Sequence, residues 1–477
     1  VAIKWTVVGR FTAGKRARSD YNLFCHWLME SLLQGDVILN VSHLVGVHGD
    51  GVTWILRLMG AKCGQRIYWP GSGLEGIVEF DLLEVGDDVV FGSRSMIMTC
   101  DSEDAAPVRI EAGAFVGDRC VLQPGFTIKR NALLGTGGLG AKNVTLSAGS
   151  KWVGSRKGNA VQLEAGSEAQ ARADTIRPFG RAMYLGQANY FVLPWYCHGL
   201  FSTFIRCANA MFGAAPVILS FIGTSYMLAP DATIPKGVTF VEIAQYMIPI
   251  FLCIQNTATM GALFIAWALK WLMIGRRRVG EYDWDTSDYS QRWQFYLTAS
   301  SIIRMLPRIS YSMNGHGLLE HLSGSAYLVW WFRAHGSYIG KNVCLYPRAA
   351  HPMMTEPELV QIGDGASIDV ASVIAHINTQ GSFSLHQTVV GPEATLRSWS
   401  RLLAGAAVMP RGQLLEHTLV LGGDVVDEDC VWQGWPGEVR GKVHSGLGPR
   451  EDVVRTSQLR RSLQKDGTTM PSDCSTS

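Results

Sequence analysis

The stretch Val390-Gly391-Pro392-Glu393-Ala394-Thr395-Leu396-Arg397-Ser398-Trp399-Ser400-Arg401-Leu402-Leu403-Ala404-Gly405-Ala406-Ala407-Val408-Met409-Pro410-Arg411-Gly412-Gln413-Leu414 places an apolar residue at every sixth position, and the step runs on to Val420 and Val426. An α-helix returns to one face after about 3.6 residues and a flat strand after two, so neither has this period. A coil of three short flat faces does, because each sixth side chain then points at the axis. Upstream, Ile362, Ile368 and Ile374 keep the step. A second series runs Val85, Phe91 and Ile97, then Ile110, Val116, Leu122, Ile128 and Leu134, reaching Leu146. Glycines directly after the inward residue, among them Gly86, Gly117, Gly363 and Gly391, suit tight corners.

The two series belong to a longer duplication with an offset of about 270 residues. Lys4-Trp5-Thr6-Val7-Val8-Gly9-Arg10 returns as Lys270-Trp271-Leu272-Met273-Ile274-Gly275-Arg276. Leu56-Arg57-Leu58-Met59-Gly60 answers Phe332-Arg333-Ala334-His335-Gly336, and Phe80-Asp81-Leu82 answers Pro357-Glu358-Leu359. Function must therefore be read as a difference between two copies.

Between the copies, Met211 to Ala229 is apolar and uncharged, and Phe240 to Ile274 is a second apolar run of about 50 Å if helical. Buried helices of a large soluble domain are the alternative. Arg172, Arg177 and Arg181 precede the pair and Arg276, Arg277 and Arg278 follow it, which favours a cytoplasmic location for both flanks. The expected fold is mainly β with helical membrane segments: two left-handed parallel β-helix (hexapeptide-repeat) domains linked by a transmembrane helix pair. The expected boundaries are a helical collar at 1–65, a first β-helix at 66–170, a linker at 171–205 and the membrane pair at 206–275. A second collar at 276–340, a second β-helix at 341–445 and a disordered tail at 446–477 follow. Aromatic segments in the collars, Tyr21 to Leu33, Trp54 to Met59, Tyr289 to Leu306 and Leu328 to Arg333, suit either the lipid headgroup level or a seal over the open end of each β-helix.

A net charge of +2 over 477 residues, without a basic stripe, argues against a nucleic-acid partner. A mean hydropathy of +0.11 points toward membrane segments. Ten scattered cysteines with no Cys-x-x-Cys pair are expected to be reduced and packed as small apolar residues, and no metal is expected. Val1 is not a methionine and the first repeat is cut inside its opening element, so a longer parent is expected; Lys4, Arg10, Lys15, Arg16 and Arg18 then read as the cytoplasmic exit of an earlier helix pair.

Both β-helices break their period at the same place. The first insertion runs Met98 to Pro107, with Thr99, Cys100, Asp101, Glu103 and Asp104. The second runs Ala375 to Thr388 and holds His376, Asn378, Gln380, Ser382 and His386. An imidazole can take a proton from an attacking amine or hydroxyl and return it to a leaving thiol. The expected site is His376 as base, Asn378 or Asp364 orienting it, and His386 as a weaker candidate. His26, His43 and His48 lie in the helical prelude, and a three-histidine zinc site is not supported. Gly137-Gly138-Leu139-Gly140 continues the coil corners and precedes no helix, so it is not a nucleotide loop.

The order of a helix pair, Lys-Trp-x-x-x-Gly-Arg, an aromatic amphipathic segment, Leu-Arg-x-x-Gly-Ala-x-x-Gly, Glu79-Phe80-Asp81-Leu82-x-x-Val85-Gly86-Asp87 and a hexapeptide coil with a histidine-bearing loop resembles a known family. It is similar to the C-terminal membrane region of non-ribosomal peptide synthetases of the ε-poly-lysine synthetase type. The resemblance covers nearly the whole chain apart from the tail, with Pro357 where copy one has Phe80. It implies tandem acyltransferase-like β-helix domains that join aminoacyl units delivered as thioesters by an upstream adenylation and carrier-protein module, with the loop histidine at His376. The expected activity is membrane-bound acyl or aminoacyl transfer from acyl-CoA or a phosphopantetheine thioester to a small-molecule amine or hydroxyl. A non-catalytic docking platform and a CoA-dependent acetyltransferase of sugars or small amines are the alternatives. The sequence upstream of Val1 separates them.

Overall fold

In a computed structural model of the chain, each sequence period winds into a prism of three mainly parallel sheets. The structure describes residues 1–15, 19–33, 37–38, 41, 50–69, 77–167, 186, 188–229, 238–283, 287–305, 318–347, 353–379 and 382–443. Successive coils of copy one pair three hexads apart: Thr127 lies between Arg109 and Thr145, and Leu133 between Phe115 and Lys151. Copy two repeats this, with Thr395 between Ser367 and Gln413 and Leu402 between Val373 and Val420. The sixth residues line the axis and are fully buried, from Val116 to Leu134 in the first prism and from Val390 to Val426 in the second. Each contributes about 1.5–3 kcal/mol by leaving water. Where the first series lacks a side chain, at Gly140, the Phe126 ring fills the space; a Cβ there would lie 2.5 Å from its Cδ1.

Helices Asp50–Met59 and Ala326–Ala334 close one end of each prism. Val52 and Leu56, and in the other copy Leu328 and Phe332, pack into the core, while Trp54, Leu58, Tyr327 and Trp330 face out. The sealing role is thus carried by one face of each helix and leaves a second aromatic face exposed. The arginine of the repeated motif ties this seal to the first strand. Arg57 Nε donates to the Cys63 carbonyl at 3.1 Å, and Arg333 Nη2 to the Gly340 carbonyl at 2.7 Å.

Two long helices, Trp195–Leu228 and Phe240–Leu269, lie against one another between the prisms in sequence. Both are long and apolar enough to cross a membrane. The first begins well before the expected Met211, and the second continues through Ile274. Phe204, Phe221, Tyr226, Phe240, Met260 and Phe264 point outward and are exposed. Arg172, Arg177, Arg181, most of the turn between the helices and the tail from residue 446 lie outside the described residues.

The prisms pack side by side. Tyr68, Val90 and Phe115 of copy one share an apolar cluster with Leu359, Ala375, Phe383 and Leu385 of copy two. Asp118 pairs with Arg94 at 2.9 Å and with the buried Arg401 of the other prism. Burial opposes the charge on Asp118, but Arg401 and Arg94 hold it below the usual carboxylate range. Trp435 Nε1 donates to the Gly137 carbonyl at 3.2 Å, so that glycine serves the contact between prisms.

Candidate active site

The duplicated motifs converge in space. Lys4–Val8 and Lys270–Ile274 form matching π-helical turns that end at Gly9 (φ 70°, ψ −145°) and Gly275 (φ 67°, ψ −146°), a conformation nearly confined to glycine. Each turn aims its lysine at the acid of a 3₁₀ turn. Lys4 Nζ donates to Asp81 Oδ2 at 2.7 Å, and Lys270 Nζ stands 3.3 Å from Glu358 Oε1. The acid also receives the backbone N–H of Phe11 at 2.9 Å in copy one and of Arg277 at 3.1 Å in copy two. Phe11 and Arg277 are therefore structural equivalents.

In copy two the insertion is a hairpin, His376–Thr379 with Ser382–Leu385, joined on its outer edge by Gly280–Asp283. His376 opposes Leu385 and Asn378 opposes Phe383, so all four side chains share the inner face. The His376 ring stacks on Phe383 with centroids 5.4 Å apart, and its Nδ1 lies 2.8 Å from Glu356 Oε1. Glu356 is fully buried; its Oε2 accepts from Ala375 N at 3.1 Å and from Thr355 Oγ1. Arg277 Nη1 is 3.6 Å from Glu356 Oε1, while its Nε and Nη2 fork onto Glu358 at 2.7 and 2.9 Å.

Burial opposes ionisation of Glu356, but His376, Arg277 and Thr355 outweigh it and hold the carboxyl down at about 2. Burial likewise opposes the charge on Arg277, yet Glu358 and Glu356 push its pKa above the ordinary range. A carboxylate on Nδ1 favours the tautomer whose Nε2 carries the lone pair. The His376 side chain is 21% exposed, and Nε2 has no protein partner among the described residues. The arrangement can hold a base in one orientation and stabilise it when protonated.

The partner on His376 Nδ1 is thus Glu356, where Asn378 or Asp364 was expected. Asp364 sits at a coil corner and its Oδ1 accepts from Lys341 N at 2.8 Å, as Asp87 does from Gln65 N at 2.7 Å. A shared corner-capping role explains why that acid is repeated. Asn378 lies two residues along the inner face from His376, with a buried Oδ1 that has no hydrogen-bond partner among the described residues. His386 follows Leu385, its N–H closing the hairpin onto the Ala375 carbonyl at 2.9 Å, and its Cβ faces Gly405 on the prism. It does not converge with His376. Gln380, His43 and His48 lie outside the described residues. Glu356 and Arg277 were missed, although Glu79 and Glu356 recur directly before the repeated 3₁₀ motif and could have been found from it.

Copy one keeps the glutamate and changes what surrounds it. Glu79 is buried, and Thr99, at the position of His376, donates to its Oε2 at 2.9 Å. Phe11 stands where copy two has Arg277. The loop of copy one carries no histidine, but its site has one from elsewhere in the chain. His26, on the collar helix Asp20–Leu32, brings Nδ1 within 2.6 Å of Glu79 Oε1. The helix places it there, far from the loop in sequence.

No protein-family model and no curated protein matches the chain. Among solved structures, it is similar to a hexapeptide-repeat acetyltransferase from Vibrio cholerae, at 11% identity over 25% of this chain and 81% of that one, with a TM-score of 0.22. A galactoside acetyltransferase in complex with coenzyme A matches at 10% identity over 25% of this chain and 71% of its own, with a TM-score of 0.21. A serine acetyltransferase from Brucella abortus in complex with coenzyme A matches at 11% identity over 52% and 76% of the two chains, with a TM-score of 0.21.

Proposed function

We propose that the chain is a membrane-embedded acyl- or aminoacyltransferase in which His376 is the general base and Glu356 orients it. The observation that carries this is the 2.8 Å contact from Glu356 to Nδ1, which leaves Nε2 without a protein partner among the described residues. The donor is a pantetheine thioester, on coenzyme A or on a carrier protein of an upstream adenylation module; the acceptor is a small-molecule amine or hydroxyl. Nε2 takes the acceptor's proton as its nitrogen or oxygen attacks the thioester carbonyl. The C–S bond of the tetrahedral intermediate then breaks, and the imidazolium returns the proton to the leaving thiolate. Glu356 stabilises the imidazolium between the two transfers.

The two apolar helices span the bilayer in this reading, because their length and composition suit it and their outward Phe204, Phe221, Met260 and Phe264 are exposed. The left-handed winding expected from the repeat is kept, and the prisms lie on the cytoplasmic side. Arg276 and Arg278, exposed where the second helix ends, favour that side; Arg277 is spent inside the site and gives no topological signal. His376→Ala is expected to slow transfer by about 10²–10⁴-fold with the detergent-solubilised size unchanged. Full turnover in that variant would sink the assignment.

A further inference from the structure

In copy one, three side chains distant in sequence meet: a ring nitrogen of His26, a carboxylate oxygen of Glu79 and Cys100 Sγ all lie within 4.8 Å of one another. His26 comes from the collar helix, Glu79 from the segment entering the prism and Cys100 from the insertion. We propose that this cluster is a divalent-metal site, fitted to zinc, that staples these three parts of copy one together.

Imidazole nitrogen, carboxylate oxygen and thiolate sulfur are the donors zinc takes. Charge points the same way. Glu79 is buried, but Phe11 occupies the place where Arg277 compensates Glu356. A buried carboxylate needs a compensating cation. Zn²⁺ with one carboxylate, one thiolate and a neutral imidazole sums to zero. The third observation is His26 itself, 3% exposed, whose Nδ1 makes no aligned hydrogen bond among the described residues although Glu79 Oε1 is 2.6 Å away. A tetrahedral ion with Zn–N and Zn–O near 2.0–2.1 Å holds such atoms about 3.3 Å apart, so this pair opens by roughly 0.7 Å on binding. Half-buried Cys100 supplies the entry side, and water completes the coordination. The Cys100 S–H proton, now donated to the Asp101 carbonyl at 3.1 Å, leaves to solvent as the Zn–S bond forms.

The test uses the full chain in detergent, stripped with chelator and titrated with Zn²⁺, then with Co²⁺ as a spectroscopic probe. The expected result is one equivalent per chain and a thiolate-to-cobalt charge-transfer band. Cys100→Ser abolishes the band and weakens zinc binding about tenfold or more, and His26→Gln weakens it likewise. Cys207→Ser, at an exposed cysteine of the first long helix, leaves both intact. A stripped wild-type chain that takes up no equivalent, or undiminished binding in Cys100→Ser, overturns the assignment. Metal uptake is read independently of transfer at His376.

Discussion

The two prisms share one winding and differ in the side chains that surround one buried glutamate. Copy two surrounds Glu356 with a loop histidine and a collar arginine; copy one surrounds Glu79 with a collar histidine and a loop threonine. The scaffold thus keeps the acid and exchanges its partners. In copy two the histidine is on the insertion and partly exposed; in copy one it is on a buried helix face. On the function proposed above, the first site moves a proton and the second holds its copy together.

The largest effect that can break this comparison comes from the glutamates. Glu356→Gln removes the group that fixes the His376 tautomer and should reduce transfer by about 10²–10⁴-fold, measured as initial rate on a thioester donor. Glu79→Gln should leave the rate of any chain that folds within about twofold, because the copy-one site is not asked to move a proton. Equal losses in the two variants would mean that both copies are catalytic.

How much of this was legible beforehand follows from where the information sits. A six-residue period is local, so Val390 to Val426 declared the prism without any partner. The insertion announced itself as a break in that period and drew attention to His376. Glu356 and Arg277 gave no such signal, because their roles depend on the helix, turn and hairpin meeting in space. Arg277 was read as a marker of membrane orientation when it is in fact buried against two acids. Asp364 was expected to orient His376; its repeat at Asp87 is the clue that it caps a corner.

Exchanging the copies' own residues sharpens the contrast next. Arg277→Phe gives copy two the side chain of Phe11 and leaves Glu356 and Glu358 short of their shared cation. Breaking a buried pair in this way should cost about 3–5 kcal/mol, read by chemical denaturation of the solubilised chain. A cost below about 1 kcal/mol would show that Arg277 is not needed to compensate the two acids.

Acid separates the same variant from the parent. The folded pKa of Glu356 lies at about 2, below the roughly 4.3 of an unfolded glutamate. The part of that depression supplied by Arg277 is a contribution to stability that is full above about pH 4.3 and is lost as pH falls toward the folded value. Glu358, also lowered once its arginine outweighs burial, acts in the same direction. In Arg277→Phe both carboxyls lose a cause of their depression, so the acid limb of the melting curve should move to higher pH. An unchanged acid limb would place the main stabilisation elsewhere.

The smallest expected effect probes the collars, which the comparison treats as alike. Ser19 Oγ accepts the N–H of Asn22 at 3.2 Å, and Ser287 Oγ accepts that of Tyr289 at 3.2 Å, so each collar helix starts on a serine cap. Replacing either by alanine should cost about 1 kcal/mol. The consequences then diverge. The helix capped by Ser287 carries Trp293, whose ring stands at 71° to that of His376 with centroids 6.4 Å apart, whereas the helix capped by Ser19 carries His26 beside Glu79. Ser287→Ala should therefore lower transfer slightly at equal stability loss, and Ser19→Ala should leave transfer unchanged. If the two caps affect the rate equally, the collars do not support their sites separately and the prisms act as one unit.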